Sequence, residues 1–189
     1  MAYHKENLKE RLVEIAWEIC VEGSWQAVDM RSVAKKAEVS TTAFYRHFKN
    51  KGDLKAELML KGFQLMSDVQ KNANVGDNFS KFGAHTIKFG LEYPHIYDLM
   101  FETKDIDMSL YPDLEAILNS SFNGIITGVR AFVPTATEKE IMIKAVNIWA
   151  SVHGLIGILR RSRLQTGKTK ELEWIENNLE EYLKMTTFR

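Results

Sequence analysis

Proline is scarce in this sequence: only Pro94, Pro112 and Pro134 occur in 189 residues, so long helical patterns can run unbroken. Cysteine is scarcer still. The lone Cys20 cannot form an intrachain disulfide, which excludes a disulfide-stapled scaffold and suits a reducing cytoplasm. No uninterrupted run of about 18 apolar residues occurs, so no transmembrane span and no membrane partner are expected. Residues Met1 to Glu10 are polar and carry no apolar core of a signal peptide. Neither charge sign is in excess, with 25 basic and 25 acidic residues. HExxH, CxxC, phosphate-loop and GxGxxG patterns are absent, and His85, His95 and His153 fall on separate segments. No catalytic residue, metal-ligand set or cofactor is therefore expected, and the chain is not read as an enzyme.

Apolar residues make up 45% of the chain, enough for a packed core. No alternating strand pattern or internal repeat is found, so the fold class is all-α. The first helix is expected from about Glu6 to Val21, with Leu8, Leu12, Ile15, Ala16, Ile19 and Cys20 as its apolar stripe and Gly23 at its stop. Cys20 belongs to that stripe and reads as a small core residue. Asp29 should cap a short helix carrying Met30, Val33, Ala34 and Ala37. Ser40 or Thr41 should cap a second one carrying Ala43, Phe44 and Phe48. Asp53 should cap a long helix that ends in the polar stretch Asn72–Asn78. Further helices are expected at about Phe79–Tyr93, Pro94–Phe101, Pro112–Phe132, Thr137–Arg161 and Glu171–Met185. Thr137 and Glu140 form a capping-box pattern, and Pro94 and Pro112 suit first-turn positions. Lys104–Tyr111 and Arg163–Thr169 read as loops.

Two short helices separated by about three residues, over Asp29–Lys55, have the layout of a helix-turn-helix. Small Ala34 permits close approach, and Val39 and Phe44 can fill the wedge. With Ala43, Phe44 and Phe48 inward, the opposite face of the second helix presents Thr41, Thr42, Tyr45, Arg46 and His47, with Ser40 at its start. These are the donors, acceptors and cation that a major-groove reader needs. Lys51 can reach a neighbouring phosphate. From Arg31 to Lys55 seven bases meet two acids, a net +5 that leaves the rest of the chain at −5. Such a patch can direct duplex DNA to one face, although charge alone favours an ordinary solvated helix surface.

This segment resembles the DNA-binding domain of the TetR (tetracycline-repressor-like) family. The matching pieces are Val33-Ala34-Lys35-Lys36-Ala37, the Val39-Ser40 turn, Phe44-Tyr45-Arg46-His47-Phe48, and Lys49-Asn50-Lys51 followed by Leu54. The resemblance implies DNA contacts for Thr41, Thr42, Tyr45, Arg46 and His47, and a phosphate contact for Lys51. One departure is Glu38, where the family most often has glycine; a positive φ there would cost a glutamate roughly 1 kcal/mol.

In the C-terminal half, Trp149-Ala150-Ser151-Val152-His153-Gly154-Leu155 and Tyr93-Pro94-His95-Ile96-Tyr97-Asp98-Leu99-Met100-Phe101 resemble the C-terminal domain of a TetR subgroup marked by a tryptophan…histidine-glycine element. That resemblance implies a domain that binds a small effector and dimerises. The segment Ala145–Leu159 is apolar nearly all round, so all its faces must be covered. Val146, Trp149, His153 and Ile156 are expected to pack on their own domain. Ile148, Val152, Leu155 and Leu159, with Ile175 and Leu179 of the last helix, are expected to form a four-helix seam with a second copy. Ala150, Gly154 and Gly157 would permit close approach. A mostly apolar effector pocket is expected among Phe63, Met66, Phe82, His85, Phe89, Tyr97, Met100, Phe101, Phe122, Trp149 and His153. Gly62 is expected to ease a bend beside Phe63.

The reading is therefore an N-terminal three-helix helix-turn-helix domain, residues 1–53, followed by a helical bundle for ligand binding and dimerisation, residues 54–189. The expected activity is sequence-specific DNA binding by a cytoplasmic homodimer on a palindromic operator, with a small apolar or amphipathic effector releasing a repressor. The alternative is a helical protein-interaction module that does not bind DNA.

Overall fold

The computed structural model describes residues 8–72, 79–101, 105–164 and 169–187. Those residues form ten α-helices and two 3-10 turns, with no strand among them. Helix α1 spans Leu8–Gly23, α2 Met30–Lys36, α3 Thr41–Tyr45, α4 Lys51–Asn72 and α5 Phe79–Glu92. Then follow α6 Pro94–Phe101, α7 Pro112–Phe132, α8 Glu138–Leu164, α9 Lys170–Asn177 and α10 Leu179–Thr187. The 3-10 turns, Trp25–Ala27 and Met108–Leu110, lie in segments without apolar periodicity. The expected helix start at Glu6, most of the stretch 72–78, Lys104 and residues 165–168 of the second loop lie outside the described residues.

The boundaries have local causes. Pro94 and Pro112 open α6 and α7, where a missing N–H costs nothing. Thr137 and Glu140 form the capping box at α8: Glu140 N–H donates to Thr137 Oγ1 at 3.3 Å, and Thr137 N–H donates to Glu140 Oε2 at 2.8 Å. These bonds hold the Glu140 carboxyl below its usual pKa. Two details differ from the sequence reading. The cap of α4 is Asn50, whose Oδ1 accepts from Asp53 N–H at 3.0 Å, while the Asp53 carboxylate reaches back to Lys49 N–H at 2.8 Å. The single helix expected over Glu171–Met185 is two, broken at Asn178. There the side chain donates to Trp174 O at 2.8 Å and so competes with helical continuation.

Packing divides the chain into two compact units, residues 1–64 with 93–117, and residues 65–92 with 118–189. This differs from a division after residue 53, because the first half of α4 shares an interior with α6. In the first unit α1 packs against α2, α6 and the Trp25–Ala27 turn, and α2 against α3. Leu12, Ala16, Cys20, Val33, Phe44, Phe48, Leu58 and Phe63 are fully or almost fully buried. Burial, with the charge of Asp98 adding to it, pushes the Cys20 thiol up to about 11, as suits an inert core residue. Gly62 lies within an unbroken α4. A Cβ there would come within 2.6 Å of Met100 Sδ and 3.1 Å of Ile96, so its role is close approach to α6 instead of bending.

In the second unit α5 packs against α8 and α10. A further cluster joins Ile125 and Val129 of α7 to Ile141 and Ala145 of α8. The buried stripe of α8 is Ile141, Ala145, Val152, Leu155, Ile156, Leu159 and Ser162, with Ile148 half-buried. The seam expected to face a second copy thus turns inward: Val152, Leu155, Leu159 and Leu179 are buried within the chain, and Ile148 and Ile175 are half-buried. Conversely Val146 and Trp149, expected inside, are exposed. Periodicity cannot choose between two apolar faces; the helix is oriented by α5 and α7. Residues Glu138–Arg163 also form a helix long and apolar enough to cross a membrane by length and composition, a feature hidden from the sequence reading by its interspersed polar residues.

Candidate nucleic-acid interface

Helix α3 is short, and its start is set by the cap and turn that bound α2. Asp29 caps α2 by accepting from Ser32 N–H at 2.9 Å, a bond that holds its carboxyl below the usual range. At the other end of α2, Glu38 N–H donates to Lys35 O at 3.0 Å, and Val39 N–H donates to Ala34 O at 3.0 Å. This pair of bonds is a Schellman motif, and its left-handed residue is Glu38, with φ 55°. The turn then delivers Ser40, whose Oγ accepts from Ala43 N–H at 3.1 Å and so starts α3. Phe44 and Phe48 are buried beneath it, their ring centroids 5.4 Å apart.

With those two rings inward, Thr41, Thr42 and Tyr45 are exposed on α3, which ends at Tyr45. Arg46 caps its end and His47 lies in the turn beyond, both exposed, so the helix is shorter than one carrying Phe48. Tyr45 leaves 46% of its surface in solvent and meets Phe44 edge-on at 5.7 Å. Ser40 is exposed too, but its hydroxyl is engaged as the cap. Lys35, Lys36, Arg46 and Lys49 are exposed and Lys51 is half-exposed. Lys55, counted in the basic window, is buried and lies 3.9 Å from Asp105. The first turn of α4 is further fixed by Tyr111, whose hydroxyl donates to Asp53 at 2.9 Å. Burial and that carboxylate push the Tyr111 phenol above its ordinary pKa. No sequence pattern pointed to Tyr111, Trp25 or Asp105 around this turn, because each meets α4 from a distant segment.

The expected pocket residues are divided between the two units. Phe63, Tyr97, Met100 and Phe101 belong to the first unit, where Phe101 meets Phe63 at 5.4 Å and Tyr97 at 4.8 Å. Met66 and Phe89 are buried, and His85 bonds through Nδ1 to Lys81 O at 2.8 Å. The second unit instead holds an apolar cavity of about 40 Å³, lined by Phe82, Thr86, Ile125, Trp149, Val152, His153 and their neighbours. Phe82, Trp149 and His153 were expected there. Ile148 and Val152 line it instead of a seam. Phe122 meets Trp149 at 6.0 Å, and Trp149 meets His153 edge-on at 4.8 Å. Burial lowers the His153 pKa to about 4, so its imidazole is neutral near pH 7.

Residues 12–58 match the family described as "Bacterial regulatory proteins, tetR family", and residues 79–180 match "Tetracyclin repressor-like, C-terminal domain". The chain belongs to the TetR family. An HTH-type transcriptional regulator of Haemophilus influenzae is 34% identical over 82 residues, an alignment covering 40% of this chain and 39% of that relative. The matched part is thus about two fifths of the relative's length. A protein of unknown function from Rhodococcus sp. RHA1 has the same fold at TM-score 0.74 and 16% identity, covering all of both chains. The TetR family transcriptional regulator PfmR from Thermus thermophilus aligns at TM-score 0.63 and 15% identity, covering 92% of this chain and 97% of that one. At such identities the likeness is one of fold. This TetR-family chain is accordingly an all-α regulator with an N-terminal helix-turn-helix and a helical C-terminal domain.

Proposed function

We propose that this TetR-family chain is a dimeric repressor that holds a palindromic operator and releases it when a small apolar or amphipathic molecule binds in the second unit. The observation that carries the DNA reading is the exposed set Thr41, Thr42 and Tyr45 on a helix capped by Ser40, with Arg46 and His47 in the turn that follows it and Phe44 and Phe48 buried beneath. On this reading Tyr45, Arg46 and His47 meet base edges, and the threonines and Lys51 meet backbone phosphates.

Dimerisation is supported by the uncovered face of α8. Met142, Ile143, Val146, Trp149 and Ile158 are large, apolar and exposed, and so is Trp174 on α9. Large exposed apolar side chains of this kind suit an interaction surface. Lys144, Asn147 and Ser151 on the same helix suit a partly polar protein interface better than hydrocarbon. A Cβ added at Gly154 or Gly157 would meet nothing within 4 Å, which leaves room for a second helix. The effector reading rests on the apolar cavity with one neutral imidazole. At about 40 Å³ it is far smaller than the roughly 300 Å³ or more of a drug-sized site, so an effector must part the helices to enter. A ligand shifts the DNA-binding equilibrium only by favouring that parted state.

Tyr45→Ala and Lys51→Ala separate the two kinds of contact. Against duplexes selected by the protein from a random pool, Tyr45→Ala should cost specific affinity while leaving binding to unrelated duplexes near its original level. Lys51→Ala should weaken both alike and lower the slope of log K against log salt by about 1. Salt-insensitive binding, or none, would favour a protein-interaction module.

A further inference from the structure

We propose that Trp25 is a positioning residue for DNA-backbone recognition, its indole face holding the Lys51 ammonium where a duplex phosphate can meet it. The proposal rests on the reading of Lys51 as a phosphate contact. Lysine is a point charge on a flexible four-carbon stem, and an exposed one samples many rotamers. Here the Nζ of Lys51 lies 4.7 Å from the centroid of the Trp25 ring, inside the range of about 6 Å over which the aromatic quadrupole attracts a cation. Indole is the strongest such face among the side chains.

The surroundings give the contact a direction. Lys55, one helical turn along α4, lies 5.7 Å from the same ring. Its ammonium is anchored inward, 6% exposed and 3.9 Å from Asp105. Burial lowers the Lys55 pKa, Asp105 opposes that, and the nearby charge of Lys51 lowers it further. Two like charges at i and i+4 repel. With Lys55 fixed by burial, the repulsion biases Lys51 away from the interior while the ring limits how far it strays. Among the described residues no carboxylate pairs with Lys51, so its charge is available to an external anion. The ring belongs to a different element: the Trp25–Ala27 turn packs against α1 and α6 and is closed by Val28 N–H donating to Trp25 O at 3.1 Å. Lys51 is thus placed from the frame of the first unit, independently of the reading helix α3.

The test compares wild type, Trp25→Leu, Trp25→Phe, Lys51→Ala and the Trp25→Leu/Lys51→Ala double variant for binding to a fluorescein-labelled duplex of random sequence at several salt concentrations. Trp25→Leu should weaken binding about 2- to 5-fold, the size of an exposed cation–π contact, and move the salt slope toward that of Lys51→Ala. The double variant should bind no more weakly than Lys51→Ala, and Trp25→Phe should retain most of the affinity. In the free protein, the Lys51 ε-methylene protons should be shifted upfield by the ring current, and Trp25→Leu should abolish that shift. Wild-type affinity and slope in a folded Trp25→Leu variant, or an effect additive with Lys51→Ala, would overturn the proposal. So would unshifted ε-methylene protons in the wild-type protein, a measurement that stands even if Trp25→Leu does not fold. If Lys51→Ala leaves duplex binding intact while Tyr45→Ala destroys specific binding, the role of Trp25 falls and the DNA reading survives. If the wild-type protein binds no duplex, both fall.

Discussion

Glu38 carries local strain at the turn between α2 and α3. It occupies the left-handed position of the Schellman motif that ends α2, at φ 55°. Its Cβ crowds the backbone there, a penalty glycine does not have. Glu38→Gly should therefore stabilise the chain by about 1 kcal/mol, less the flexibility glycine adds to the unfolded chain. Glu38→Ala keeps the Cβ and should change stability little. Urea unfolding of the three proteins checks this; an alanine variant as stable as the glycine variant would move the cause from backbone conformation to loss of the carboxylate. This position was legible through the family resemblance, which places glycine there. Ser24, at φ 78°, was not, because no turn pattern singled it out. The same contrast runs through the site. Thr41, Thr42, Tyr45, Arg46 and His47 could be placed outward from the spacing of Phe44 and Phe48 alone. Tyr111 on Asp53, and Trp25 beside Lys51, arise from contacts between distant segments.

At the scale of the element, α8 shows where periodicity stops informing. Its two apolar faces fit the helical repeat equally well, and the seam read from sequence fell on the inner one. What decides is the neighbour on each side: α5 and α7 take up Ile141, Ala145, Val152 and Ile156, leaving Met142, Val146 and Ile158 outside. Helix ends, by contrast, were largely legible. Asp29, Ser40, Thr137 and the two prolines act through bonds a few residues away, whereas the break at Asn178 was missed inside an otherwise helical pattern. The corrected geometry makes two glutamates behave oppositely. Val146→Glu adds a charge to an exposed face, so a single chain should fold with its stability changed by less than about 0.5 kcal/mol, while assembly is lost. Val152→Glu buries an unpaired carboxylate beside the cavity and should unfold the second unit or cost several kcal/mol. Sedimentation velocity and thermal melts on both variants check the pair. An unchanged assembly state in a folded Val146→Glu chain would remove this face as the interface.

For the whole molecule, the proposed assembly and ligand response would both involve one wall of the second unit. Trp149 both lines the cavity and keeps 45% of its surface on the uncovered face of α8, so opening the cavity and covering that face involve the same side chain. His153 gives this wall a pH signature. Its folded-state pKa is about 4, lowered by burial, against an ordinary value of 6.5. Between those values the unfolded chain takes up a proton that the folded chain refuses. The contribution of a neutral His153 is thus fully present above pH 6.5 and is lost progressively as pH falls toward about 4. The carboxylates of Asp29, Glu140 and Glu171 are held below their usual values by cap hydrogen bonds, so their contribution is lost at lower pH, below about 4.5. The two limbs can be separated. In the wild-type protein the unfolding free energy, measured by urea titration, should decline from about pH 6.5 to about 4.5 and continue to fall below that. In His153→Phe, which keeps a ring in the wall but has nothing to protonate, the upper limb should flatten and the lower one persist. A His153→Phe profile parallel to wild type across the upper range would show that this imidazole is solvated in the folded chain, and the cavity wall would then have to open to water at rest.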